Sequence, residues 1–198
     1  MQKKFIVAAL CVATSVTSVW AQTSGEGPWV LRARALHLDS ADKDTTGLNL
    51  SINNKTFGEI DVSYFLDKNI ALELMLTNSQ QQRLYASGTE IGTFKHLPPS
   101  LLLQYHFTNV QGFKPYLGAG VNYTRFTSVN LPTGVTLDKN NWGGALQVGM
   151  DMPLDKNWSL NFDIKKVYIR TDVYVNVNSI GAFKVDPILY GVGVGYRF

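Results

Sequence analysis

From residue 29 onward, apolar and polar side chains alternate with a period of two along most of the chain. Ile60, Val62 and Tyr64 share one side of a segment whose other side carries Glu59, Asp61 and Ser63. Ile70, Leu72, Leu74 and Leu76 oppose Ala71, Glu73, Met75 and Thr77; Trp158, Leu160, Phe162 and Ile164 oppose Ser159, Asn161, Asp163 and Lys165. Successive side chains of an extended strand point to opposite faces, so this pattern predicts half-buried antiparallel strands. Eight are expected, over 29–38, 57–65, 70–78, 99–107, 114–127, 141–152, 158–177 and 183–198. No amphipathic helix of normal length emerges. Within the seventh segment the alignment changes after Lys165-Lys166, where Val167, Ile169, Val173, Val175 and Val177 fall in line. Either a bulge or a strand leaving its apolar surroundings would do this.

The connections sort by length. "LDKN" occurs at 66–69 and again at 154–157, and a third short link covers 108–113. Asp, Lys and Asn in so short a link suit a tight hairpin turn. The links at 39–56, 79–98, 128–140 and 178–182 are longer on the whole, and the two kinds alternate. An up-and-down arrangement gathers all the short ones at one end. If the sheet closes, two barrels are conceivable: apolar inside and polar outside for a soluble one, the reverse for a membrane one. The polar faces collect Arg32, Arg34, Glu59, Asp61, Glu73, Gln104, Asp151, Asn161, Asp163 and Lys165, with Gly118, Gly120, Gly191, Gly193 and Gly195 among them. Small residues and charges of both signs suit a narrow lumen. Aromatics of the apolar faces (Tyr64, Tyr105, Phe107, Trp158, Tyr196, Phe198) cluster near strand ends, where a membrane interface would lie. The expected fold is all-β: an eight-stranded antiparallel up-and-down transmembrane β-barrel with short periplasmic turns and longer extracellular loops. An ordinary soluble all-β core is the rival.

The N-terminus supplies an address. Lys3 and Lys4 precede an apolar run and Val19-Trp20-Ala21, the layout of a secretory signal peptide over 1–21, with the barrel domain over 22–198. A lipoprotein signal using Cys11 is disfavoured by the bulky Leu10 before it. Removing the segment takes away two of the 18 basic residues and leaves 16 against 15 acidic, so no nucleic-acid partner is expected. The one cysteine goes with it, which excludes disulfides and cysteine-built metal centres from the mature chain. No later stretch approaches the roughly 18 apolar residues of a membrane helix. Export to the bacterial outer membrane is therefore expected. At the other end, "YGVGVGYRF" places Tyr190, Val192, Val194, Tyr196 and the terminal Phe198 on one face. That arrangement resembles the signal by which the outer-membrane barrel-assembly machinery recognises its clients.

Four stretches carry a more specific likeness: "HLPPSLLLQYHF" (96–107), "KPYLGAGVNYT" (114–124), "NWGGALQVGMD" (141–151) and "VDPILYGVGVGYRF" (185–198). In this order they resemble the outer-membrane protein W (OmpW) family. The resemblance implies an eight-stranded barrel whose narrow lumen holds an apolar passage, and a part in moving small hydrophobic molecules, with lateral release into the bilayer. Eight strands leave an interior that side chains just fill, which disfavours a general aqueous porin. Leu36, Leu38, Phe57, Met75 and Leu102 are the inward apolar candidates for channel lining, although Met75 would equally serve as lumen packing. Arg32, Arg34, Glu59, Asp61, Glu73, Asp163 and Lys165 are expected to form a polar network inside. His37, His96 and His106 lie on separate segments without metal-ligand spacing and read as surface or rim polarity; catalysis by His96 lacks an identifiable partner, so neither enzyme activity nor a cofactor is expected. The expected partners are outer-membrane lipids, the assembly machinery and a small hydrophobic solute, with the barrel a monomer. The competing function is a structural or interaction barrel, plugged by ion pairs, whose loops bind a partner, a phage or a bacteriocin.

Overall fold

The computed structural model describes residues 27–108 and 110–198; the expected signal peptide at 1–21 lies outside the described residues. Among the described residues all regular structure is strand: β1 (Trp29–Asp39), β2 (Lys43–Asp44), β3 (Leu50–Ile52), β4 (Lys55–Phe65), β5 (Ile70–Thr77), β6 (Gln80–Ala86), β7 (Thr89–Leu97), β8 (Ser100–His106), β9 (Lys114–Asn130), β10 (Val135–Leu137), β11 (Asn140–Pro153), β12 (Trp158–Val167), β13 (Arg170–Val175), β14 (Asn178–Lys184) and β15 (Ile188–Arg197). Eight of these close a barrel through antiparallel pairs in the order β1-β4-β5-β8-β9-β11-β12-β15, with β15 returning to β1. Closure runs from Val30↔Arg197 to Asp39↔Ile188, so the sheet has no free edge along the barrel. A bilayer demands this, because it offers no water to backbone groups left unpaired.

The alternation decides which way each strand faces, and polar residues go inward. Arg32, Asp61, Glu73, Asn161 and Lys165 are fully buried, while Ile60, Leu103, Leu117, Val121 and Val192 are each more than half exposed. An apolar belt of this extent is far beyond the patches that water-soluble monomers expose, and it is matched to lipid. At its lower margin Trp29–Tyr64 and Trp158–Tyr196 pair at 4.7 and 4.9 Å between ring centroids, and at its upper margin Tyr123–Trp142 at 4.8 Å. The short turns lie below. In both LDKN turns the Asp carboxylate accepts two backbone N–H groups: Asp67 from Asn69 and Ile70, Asp155 from Asn157 and Trp158. That geometry explains why the same tetrapeptide serves twice.

Two features take on detail that alternation alone does not give. Most of the longer links carry strands of their own. They fold as a hairpin, β6–β7, that prolongs the wall, and as a four-stranded sheet in the order β10-β13-β14-β2. Their outward positions become polar (Gln81, Arg83, Lys95), which marks where the chain has left the apolar belt. Of the two readings of the change after Lys165-Lys166, the bulge falls and the strand leaving its apolar surroundings holds: β12 stays in register with β11 through Ala145↔Val167. Inward burial continues unbroken through Asn161, Asp163, Lys165, Val167, Ile169, Thr171 and Val173. What changes is the chemistry inside the barrel and the loss of lipid outside it.

Candidate functional site: an ion-pair plug, an apolar chamber and a break in the wall

The lumen is layered. Its middle is closed by Arg32 and Arg34, at consecutive inward positions on β1. Arg32 binds Asp151 through both Nε and Nη2 (3.2 and 2.7 Å) and reaches Ser63, Glu73 and Asp61 through Nη1 (2.7, 3.2 and 3.4 Å). Arg34 lies 2.9 Å from Asp61, 3.0 Å from Glu59 and 3.4 Å from Glu73. Lys165 pairs with Glu59 and, at 3.2 Å, with Asp163. All seven network residues expected from the sequence are thus brought together, and the inward lysine completes the plug. Three cations face five carboxylates here, counting Asp151. Neutral donors serve the surplus: the Tyr116 hydroxyl donates to Asp163 (3.0 Å), Gln147 Nε2 to Glu73 and Asp163 (2.8 Å each), and Asn161 Nδ2 to Asp151 (2.8 Å). The sequence put Asp151 and Asn161 on the lumen face without assigning them to the network, and left Tyr116 and Gln147 out of it. Tyr116 shares strand parity with inward Gly118 and Gly120, the signal that could have found it. Its ring lies against Gly149, where an added Cβ would come within 2.2 Å of it.

Above the plug the lining turns apolar. Leu36, Leu38, Met75 and Leu102 are buried in one cluster with Leu84, Phe94, Phe126, Val167 and Phe183, and Phe57 packs against it. All five sequence candidates for channel lining therefore meet in one chamber on the extracellular side of the ion pairs. Gly191 makes room for it, since a Cβ there would stand 2.8 Å from a Leu36 methyl. The chamber is tight: the space bordered by Leu38, Phe57, Met75, His96, Val167 and Leu189 leaves about 20 Å³ to a water-sized sphere. That is room for about one water molecule.

The wall beside this chamber is interrupted. β5 and β8 pair from Ile70↔Tyr105 to Met75↔Ser100, and the same hairpin pairs again from Gln80↔His96 onward. Between them, 76–79 and 97–99 exchange no cross-strand partners. Pro98 and Pro99 have no N–H to offer a ladder, and their carbonyls turn toward β9. Pro98 accepts from Asn122 Nδ2 at 3.2 Å, and Pro99 from the Tyr123 amide at 3.0 Å. Thr77, Pro98 and Ser100 border the gap from inside, and Leu76, Leu97 and Leu101 present exposed apolar side chains outside. The two prolines are legible in the sequence, whereas the gap they border is not.

The histidines correct an expectation. Only His37 is exposed, its Nδ1 3.0 Å from Thr56 Oγ1. His106 is buried between Phe65 and Tyr116, with Nε2 3.0 Å from Gln104 Oε1. His96 is buried on β7, its ring set edge-on against Phe94 and Phe126. Tyr190, Val192, Val194 and Tyr196 lie on the outer face of β15, and the Phe198 amide donates to the Trp29 carbonyl at 3.0 Å.

A closed eight-stranded barrel with an apolar exterior and a salt-bridged interior is an outer-membrane β-barrel. The chain belongs to the OmpW family, whose model matches residues 27–198. It is 41% identical over 187 residues to the outer-membrane protein y4mB of Sinorhizobium fredii, covering 88% of this chain and 82% of that one. With outer membrane protein W of Escherichia coli it is 30% identical, covering 99% of this chain and 100% of the relative. The crystal structure of OprG from Pseudomonas aeruginosa superposes with a TM-score of 0.77 at 24% identity, covering 87% of this chain and 97% of that one.

Proposed function

We propose that this barrel admits small hydrophobic molecules from the extracellular side into the apolar chamber and releases them sideways, through the break between β5 and β8, into the bilayer. One observation carries the reading: the gap in the wall lies above the ion-pair plug and joins an apolar interior to an apolar outer rim. A solute continuing straight down would have to displace buried charges from one another. A solute leaving sideways passes from the apolar chamber to an apolar outer rim without parting those ion pairs. The relative PahQ of Pseudomonas aeruginosa, named for a dibenzothiophene metabolism operon, is 31% identical over 115 residues, covering 56% of this chain and 54% of that one. Dibenzothiophene is itself a flat, apolar molecule, which accords with such a route. Tyr190, Val192, Val194, Tyr196 and Phe198 would be the face read by the assembly machinery, and the folded barrel would stand as a monomer among outer-membrane lipids.

The plug and the ordered extracellular sheet also suit a barrel that serves only as a docking platform, but that reading leaves the wall break without a purpose. Uptake of a medium-chain alkane by intact cells separates the two. Cells expressing the protein should take it up faster than cells without it or with a plugged barrel of similar size. Replacing Pro98 and Pro99 by alanine restores two N–H groups to the wall and should slow that uptake. Equal uptake in all strains, for this and other hydrophobic solutes, would favour the platform.

A further inference from the structure

Apart from the ion-paired carboxylates of the plug, the buried side-chain polar atoms without a protein partner among the described residues are few and close in the fold. They are Thr77 Oγ1, both ring nitrogens of His96, and both amide atoms of Gln82. His96 and Gln82 are 1% and 0% exposed. Both point inward from the β6–β7 hairpin, where Gln80↔His96 and Gln82↔Phe94 are adjacent inward pairs. His96 and Thr77 border the cavity at the inner side of the wall break, and Gln82 stands one step above on the same face. The nearest rings, Phe94 and Phe126, lie 6.1 and 6.4 Å from the imidazole and meet it edge-on, so they pack against it without satisfying it.

A chain that only had to pass hydrocarbons would gain stability from apolar residues at these three positions, since buried polar groups left unmatched are costly. A neutral imidazole offers one donor and one acceptor, a hydroxyl and a primary amide offer both, and none of them brings a charge. We propose that Thr77, Gln82 and His96 form a polar subsite that selects apolar solutes carrying one uncharged hydrogen-bonding group, such as an alcohol, over plain hydrocarbons. This rests on the hydrophobic route proposed above and names the solute class it favours. The hydroxyl would sit against His96 and Thr77, where the cavity has room for about one water-sized group, and the tail would enter by parting the Met75 and Leu38 side chains that border the same space. A charged head would lose its hydration in a space that Glu59 also borders.

The test compares labelled n-octane, 1-octanol and octanoate in intact cells expressing the wild-type barrel, His96→Phe, Thr77→Val or no barrel, normalised to folded protein in the outer membrane. The wild type should accelerate 1-octanol more than n-octane and leave octanoate unaided. Both variants should lower the octanol-to-octane ratio about three- to tenfold, the worth of one hydrogen bond, whatever either does to the octane rate itself. His96→Phe should also make the purified barrel more resistant to urea, as expected of a polar group kept for binding. In the purified wild type, 1-octanol should move the His96 imidazole nitrogen resonances and n-octane should not. Equal acceleration of both solutes, with a ratio indifferent to either variant, would overturn the subsite and leave the hydrophobic route standing. No acceleration of either would overturn both. Preferential uptake of octanoate would refute the neutral-group selection.

Discussion

Arg34→Met tests the layered lumen most directly. The substitution keeps an unbranched side chain of similar reach and removes a guanidinium lying 2.9 Å from Asp61, 3.0 Å from Glu59 and 3.4 Å from Glu73. It also removes the donor to Asn161 Oδ1 at 2.6 Å. Arg32 and Lys165 would then face the same five carboxylates with one cation fewer. Breaking a buried pair by deleting one partner costs about 3–5 kcal/mol, because the other charge is left uncompensated away from water. Urea titration of the protein refolded into phosphatidylcholine vesicles, with folded and unfolded forms separated by unheated electrophoresis, reads that cost. Adding Glu73→Gln should recover part of it, since one orphaned charge disappears, so the two changes should be non-additive. A cost below about 1 kcal/mol, the range of solvated ion pairs, would refute the dry plug. Strict additivity would refute the coupling within it. The same variant separates the exit routes. Ion conductance should rise as the plug loosens, while hydrophobic uptake per folded barrel stays unchanged, because the sideways route leaves above Glu59. Uptake that climbed with conductance would place the route through the plug and remove the case for lateral release.

Met75→Arg sets a charge in the apolar chamber, next to Glu59 across the same cavity; it should suppress alkane uptake while folded barrel still accumulates in the outer membrane. Gly149→Leu forces a side chain into the Tyr116 ring, which a Cβ would already approach to 2.2 Å, and should cost at least about 1–3 kcal/mol in urea unfolding. In the lower turns, the amides of Trp158 and Asn157 hold the Asp155 carboxyl below its ordinary 3.8. A carboxyl lowered by folding stabilises the fold above its unfolded value, and that contribution is lost as pH falls through the lower folded value. Asp155→Ala should therefore be less stable than the wild type at neutral pH, with the gap closing as unfolding is measured below pH 3.8. A gap that persists unchanged there would show that the turn does not depend on the ionised carboxylate.

The strand count, the inside-out polarity and the plug membership of Arg32, Arg34, Glu59, Asp61, Glu73, Asp163 and Lys165 were legible in the chain itself. Period-two alternation is a local property: once residue 60 faces outward, residues 59 and 61 must face in, whatever the rest of the molecule does. Charges of both signs on one face of many strands then have few places to go except a shared lumen. Other features depended on how strands register across the barrel. The change of pattern after Lys165 came from a rise in level, out of the plug and into the apolar chamber, which the alternation of one strand cannot report. The structured extracellular sheet arose because segments such as 43–44 and 135–137, too short to read as strands alone, find partners distant in sequence. Tyr116 joined the plug only because Gly149, on the neighbouring strand, leaves space for its ring. The wall break needed most from the tertiary structure. Two prolines in sequence announce missing N–H groups, but only the register of β5 against β8 and of β6 against β7 decides that those groups are missing beside an apolar chamber and above a charged plug. Side-chain alternation is set within a strand, whereas an opening exists only between two of them.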